Sequence, residues 1–151
     1  MMSDLRELYQ SVILDHSKKP RNFGALEHAN RVSAGHNPLC GDKIRLYLDV
    51  EDDVVKDIRF EGSGCAISTA SASLMTQAVK SRPVEEVLRL FDGFRELVTE
   101  TSSDEVDADR LGKLAVFAGV RAFPMRVKCA TLAWHTLKNA IEASGETART
   151  E

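Results

Sequence analysis

Asn37-Pro38-Leu39-Cys40-Gly41-Asp42-Lys43-Ile44-Arg45-Leu46-Tyr47-Leu48-Asp49-Val50 is a turn that runs straight into a strand. Pro38 stiffens the approach, and Gly41 permits backbone angles that a side chain would forbid. From there Ile44, Leu46, Leu48 and Val50 alternate with Lys43, Arg45, Tyr47 and Asp49, the period of a half-buried strand. Glu51-Asp52-Asp53 reads as a turn, and residues 54–61 as another strand with Val54, Ile58 and Phe60 on one face. Lys56 interrupts that face, which places the strand near a sheet edge. Residues 31–36 read as a short strand ahead of the turn. Connections this short predict an antiparallel meander of three strands.

Helical spacing surrounds this meander. Residues 4–17 carry Leu5, Leu8, Tyr9, Val12 and Ile13 on one face. A basic stretch at 16–24 breaks that helix and reads as a solvated connector, with partner docking as its alternative. Gly62-Ser63-Gly64-Cys65 ends the sheet. Residues 66–80 then form a helix rich in Ala, Ser and Thr, and Pro83 opens a short amphipathic helix marked by Val84, Val87, Leu88 and Phe91. Residues 96–110 are acidic and read as an exposed, mobile insert. Residues 111–122 read as helical, Pro124 as a break, and 129–143 as the last helix, with Leu132, Ala133, Thr136, Leu137, Ala140 and Ile141 on the face of Cys129. Residues 144–151 offer no apolar anchor and are expected to be disordered.

The 151 residues fit one domain, and 43% hydrophobic with 28% charged residues is a soluble globular balance. A net charge of −3 implies no polyanion-binding surface, so nucleic acid is not an expected partner. No apolar run approaches the ~20 residues needed to cross a bilayer, so no membrane partner is expected. The first residues resemble neither a secretory signal nor a transit peptide, which makes the cytoplasm the expected location. Thiols stay reduced there, and an odd count of three cysteines cannot form a complete set of disulfides within one chain.

Cys40 and Asp42 flank a glycine, Cys65 follows a glycine turn, and Cys129 follows Pro124-Met125-Arg126-Val127-Lys128. All three cysteines read as lying at glycine turns or helix starts, where core-filling residues are less expected. Three thiolates and a carboxylate suit a tetrahedral zinc ion, so Cys40, Asp42, Cys65 and Cys129 are expected to converge on one metal. The competing reading is three unrelated buried cysteines, a common fate of a free thiol. Zinc with these ligands carries net negative charge, which Arg126 and Lys128 could offset; the alternative for that pair is a solvated surface position. A Cys–His nucleophile of His36 and Cys40 lacks any accompanying nucleophile motif, and His36 reads as an ordinary loop histidine. His135, six residues past Cys129, is turned away from it on a helix. His16 and His28 read as surface residues.

The turn Asn37–Asp42, the segment Gly62-Ser63-Gly64-Cys65-Ala66-Ile67-Ser68, and a third cysteine before a long C-terminal helix resemble the U-type proteins of iron–sulfur cluster assembly, the IscU/SufU family. The segment from Asp15-His16 to Gly24 resembles that family's N-terminal signature. The likeness runs from about Leu5 to Ala143. It implies an α+β domain in which a small antiparallel three-stranded sheet has helices packed on one side, with zinc held at one end by Cys40, Asp42, Cys65 and Cys129. Lys128 stands where IscU scaffolds carry a histidine, and the Cys65–Cys129 segment is longer by about a helix and a loop. Both features match the SufU branch. That branch implies a zinc-dependent sulfurtransferase that takes persulfide sulfur from a SufS-type cysteine desulfurase, with Cys40 as the acceptor, and passes it towards a downstream assembly scaffold. The alternatives are a scaffold that builds a transient Fe–S cluster on the same residues, and a structural zinc adaptor.

Overall fold

Strand β2, Asp42–Glu51, is the centre of the sheet, and its alternation is the one the sequence predicts. Asp42, Ile44, Leu46 and Leu48 are buried, whereas Lys43 and Arg45 are exposed. The computed structural model describes residues 2–99, 111–143 and 148–150. Strand β1, Arg31–Asn37, and strand β3, Val54–Ser63, flank β2 and pair with it antiparallel. A two-residue strand β4, Ala148–Arg149, adds to the outer edge of β1 in parallel, giving the order β3-β2-β1-β4. The expected three-stranded antiparallel sheet is therefore present, with this short addition.

Lys56 has a clear structural role. The register passes from Asp49 opposite Asp57 to Val50 opposite Val55, so Lys56 is the unpaired residue of a bulge. The bulge turns Val55 inward with Ile58 and Phe60, while Val54 is only half-buried. The inward face of β3 is thus Val55, Ile58 and Phe60. The strand is an edge strand, as the interruption implies.

The helices cover one face of the sheet. Helix α1, Met2–Lys18, packs on α2, Ala66–Val79, and α2 packs over β3. Helix α3, Val84–Thr99, is followed by 3₁₀ turns over Gly112–Ala122 and by helix α4, Pro124–Glu142, which crosses β1 and β2. Close approach of α4 to β1 depends on Gly35, where a Cβ would collide with Thr136 Oγ1. The interior is filled by Leu46, Leu48, Ile58, Met75 and Leu132, and by Trp134 stacked on Phe94 at 4.8 Å between ring centres. Each large apolar side chain so buried contributes about 1.5–3 kcal/mol.

The structure corrects five expectations. Residues 96–99 are not part of an exposed insert: α3 continues through Thr99 with Leu97 and Val98 buried, because they extend the apolar stripe of Leu90 and Phe94. The remainder of that acidic stretch, 100–110, lies outside the described residues. The last helix does not begin at Cys129: Pro124 marks the break after the 3₁₀ turns, as expected, but is itself the first residue of α4, where its missing N–H costs nothing, so Cys129 sits in the second turn and not at a helix start. His16 is not a surface residue. It is 3% exposed, and its Nδ1 lies 2.7 Å from Ser73 Oγ. The 16–24 connector is pinned rather than solvated: Ser73 Oγ also accepts from the Arg21 amide, Asn22 Nδ2 donates to Thr76 Oγ1, the Gly24 amide donates to the Phe60 carbonyl, and the Phe60 amide donates to the Asn22 carbonyl. Finally, the tail expected to be disordered contributes β4, because the unpaired edge of β1 offers backbone partners even to a segment with few apolar residues; Ala148 is buried there. Residues 144–147 and 151 lie outside the described residues.

Candidate metal centre

The turn between β1 and β2 is built around Asn37. Its backbone carbonyl accepts from the Gly41 amide at 2.8 Å, and its side-chain oxygen accepts from the Leu39 amide at 3.2 Å. Gly41 takes φ +74°, the left-handed conformation that glycine adopts without penalty. The result lifts Leu39 and Cys40 to the surface and returns the chain at Asp42, the first residue of β2, fully buried.

Asp42 is held from the opposite strand end. Its Oδ1 accepts from the Cys65 amide at 2.9 Å, leaving Oδ2 4.0 Å from Cys65 Sγ. Cys65 is exposed and caps the N-terminus of α2, where its Sγ accepts from the Ser68 amide at 3.4 Å. Cys129 projects from α4 into the same space, buried, with Asn37 Nδ2 3.8 Å from its sulfur.

The ligand-type atoms of Cys40, Asp42 and Cys129 all lie within 4.8 Å of one another. Cys65 stands beside this trio, bonded to Asp42 and close enough to act on Cys129. The edge of a tetrahedron with 2.3 Å metal–sulfur bonds is about 3.8 Å, so the three atoms of Cys40, Asp42 and Cys129 can share one coordination sphere after a small contraction, and Cys65 is not one of that trio. Burial above all, then Asp42 and the Cys65 and Cys40 thiols, pushes the Cys129 thiol far above the usual thiol range. Soft sulfur donors and one free carboxylate oxygen are the chemistry that a thiophilic divalent ion takes.

Arg126 and Lys128 precede Cys129 on α4. Arg126 is exposed with its guanidinium 4.4 Å over the Phe123 ring, and Lys128 is half-buried beside Cys129. His36 lies in β1 opposite Lys43. His135 packs edge-on against Phe91 at 5.4 Å, and burial, then Arg95 and Lys138, lowers its pKa. His28 is exposed, 3.9 Å from Asp49. Sequence reasoning missed Asn37 and the Cys65 amide. An Asn two residues before the residue it caps, followed by Pro, is the signal of an Asx turn that could have found the first. The second depends on a strand pairing that brings residues 42 and 65 together.

A NifU-like N terminal domain matches residues 8–130, a span that contains all four residues. The chain belongs to that family of NifU-like N-terminal domains. It is 45% identical over 143 residues to the iron–sulfur cluster assembly scaffold protein IscU of Streptococcus pyogenes serotype M1, covering 95% of this chain and 88% of that one. It is 43% identical over 139 residues to the zinc-dependent sulfurtransferase SufU of Bacillus subtilis strain 168, covering 92% of each. The crystal structure of FiSufU, described as an iron–sulfur cluster assembly scaffold protein for the SUF system of Fervidobacterium islandicum AW-1, superimposes with a TM-score of 0.80 at 35% identity, over 86% of this chain and 93% of that one.

Proposed function

We propose that this chain is an iron–sulfur cluster assembly protein of the SufU kind. In this reading it is a zinc-dependent sulfur acceptor, with Cys40, Asp42, Cys65 and Cys129 as the ligands and Cys40 as the acceptor. The observation that carries the reading is the contrast within the cluster: Cys40 is exposed on a surface turn, whereas Cys129 is 4% exposed inside α4 and Cys65, though also exposed, is held at the start of α2 by its contacts with Asp42 and the Ser68 amide. Bound zinc would hold the thiols as thiolates at neutral pH and tie the β1–β2 turn, α2 and α4 together. The kinship with a relative named a zinc-dependent sulfurtransferase supports this choice.

The partner is a SufS-type cysteine desulfurase carrying a persulfide on its own cysteine. The Cys40 thiolate attacks the outer sulfur of that persulfide. A sulfur–sulfur bond forms on Cys40, the one on the enzyme breaks, and the electron pair leaves with the enzyme's thiolate, so nothing is oxidised or reduced overall. Leu39, 59% exposed beside Cys40, offers the enzyme an apolar foothold. The sulfur then passes to a downstream assembly scaffold. No helix among the described residues is long and apolar enough to cross a membrane; the proposed place of action is the cytoplasm.

The second reading is a scaffold on which a transient Fe–S cluster forms on the same donors, favoured by the relative named as such. Lys128, at the position before Cys129, weighs for the sulfur acceptor. One experiment separates them. The protein is mixed with its desulfurase and cysteine, and persulfide is mapped by mass spectrometry. Sulfur on Cys40 with faster desulfurase turnover, both lost in Cys40→Ser, supports the acceptor. Full acceleration by Cys40→Ser, or a brown sulfide-containing chromophore in place of zinc, overturns it.

A further inference from the structure

Asn37 is fully buried and works in two directions. Its side-chain oxygen accepts from the Leu39 amide at 3.2 Å, and its Nδ2 lies 3.8 Å from Cys129 Sγ. The orientation follows from the partners: the Leu39 N–H can only donate, so the oxygen faces it and the NH₂ faces the sulfur. Its backbone carbonyl closes the turn on Gly41. One residue therefore touches the buried sulfur of α4 and shapes the loop that carries the exposed one.

These contacts have unequal consequences for the two thiols. A hydrogen bond donated to a thiolate stabilises its negative charge and lowers its readiness to give up electrons. Cys129 receives such a donor; the turn that Asn37 closes leaves Cys40 at the surface. We propose that Asn37 is the positioning residue that divides the labour between the two: its N–H fixes Cys129 as a permanent ligand, and its oxygen holds the turn that keeps Cys40, the exchangeable ligand, at the surface for sulfur exchange. The inference rests on the metal-site reading above.

Asn37→Asp and Asn37→Ser both keep an oxygen for the Leu39 amide and remove the N–H donor to sulfur. Zinc-loaded protein is challenged with a chromogenic chelator, and the cobalt-substituted protein is examined by absorption. Both variants are expected to release zinc about tenfold faster than wild type, the scale of lost outer-shell contacts at metal sites. They are also expected to move the thiolate-to-cobalt charge-transfer band to longer wavelength, a shift that a purely turn-forming role would not produce. Wild-type release rates with an unmoved cobalt band in the variants would overturn the inference while leaving the metal site intact. Wild type that takes up neither zinc nor cobalt would overturn the metal-site reading and this inference with it. If the new carboxylate of Asn37→Asp prevents folding, the uncharged Asn37→Ser decides.

Discussion

Gly64 offers the sharpest test of the site's geometry. A Cβ at this position would stand 2.5 Å from Asp42 Oδ1 and 3.1 Å from its Cβ and Cγ. Gly64 has no left-handed φ, so an alanine meets no backbone strain and only the contact matters. Asp42 is fully buried and cannot swing into solvent; its carboxylate must retreat from the Cys65 amide that it accepts at 2.9 Å. Losing a hydrogen bond to a charged group costs about 1.5–3 kcal/mol. Replacing Gly by Ala returns about 0.4–1 kcal/mol through the unfolded chain. The net for Gly64→Ala is a loss of about 0.5–2.6 kcal/mol, which at about 2–4 °C per kcal/mol for this size lowers Tm by roughly 1–10 °C.

The matched control is Gly119→Ala, where a Cβ meets nothing within 4 Å. Thermal unfolding is followed on metal-loaded and chelator-treated samples of both variants and wild type. Gly64→Ala should fall below Gly119→Ala in both states, because the Asp42–Cys65 contact exists without metal. It should also lose zinc faster, because the displaced carboxylate is one of the proposed ligands. Gly64→Ala with the Tm and zinc-release rate of the control would refute the placement of Asp42 against the start of α2.

Two further outcomes follow from named contacts. Cys65→Ala and Cys129→Ala should each purify without stoichiometric zinc and melt lower than wild type; a ligand present at a hundred times its Kd contributes about 2.7 kcal/mol, so metal analysis and calorimetry together check the ligand set. His16 has its pKa lowered, chiefly by burial and then by Arg21, so the unfolded chain takes up a proton that the folded one resists. The stability due to its neutral form is present above the ordinary histidine range and is lost as pH falls below about 6.5. Urea midpoints of wild type should therefore drop between pH 7.5 and 5.5, and His16→Gln should show a shallower drop; equal slopes would contradict the burial of His16.

Legibility divided along the distance between partners. The strand at Asp42–Glu51 was readable because its period of two is local, and Lys56 announced an edge because a charge on an inward face must be explained within its own strand. Proximity of Cys40 to Asp42 was readable for the same reason, since one glycine separates them. His16 was not readable: the hydroxyl that makes its burial tolerable belongs to Ser73, 57 residues away on α2. A histidine in a basic stretch gives no sign of such a partner. The tail failed likewise, because the edge of β1 that pairs with Ala148 is a property of the sheet and not of the tail.

Pro124 shows a different kind of failure, with a consequence for the site. A proline after an apolar run can end one helix or begin the next, since its fixed φ suits the first helical position and its missing N–H disfavours later ones. Taking it as an end puts Cys129 at a helix start, equivalent to Cys65. Taking it as a beginning, as the structure does, gives Cys129 a full turn of α4 on its N-terminal side and buries it. The two cysteines are then unlike: Cys65 caps α2 and receives the Ser68 amide, while Cys129 has no helix-end donors and meets the Asn37 side chain instead. Each sulfur has one N–H donor facing it, the Ser68 amide at 3.4 Å for Cys65 and Asn37 Nδ2 at 3.8 Å for Cys129. The two local structures thus explain why a buried asparagine stands on the Cys129 side of the cluster.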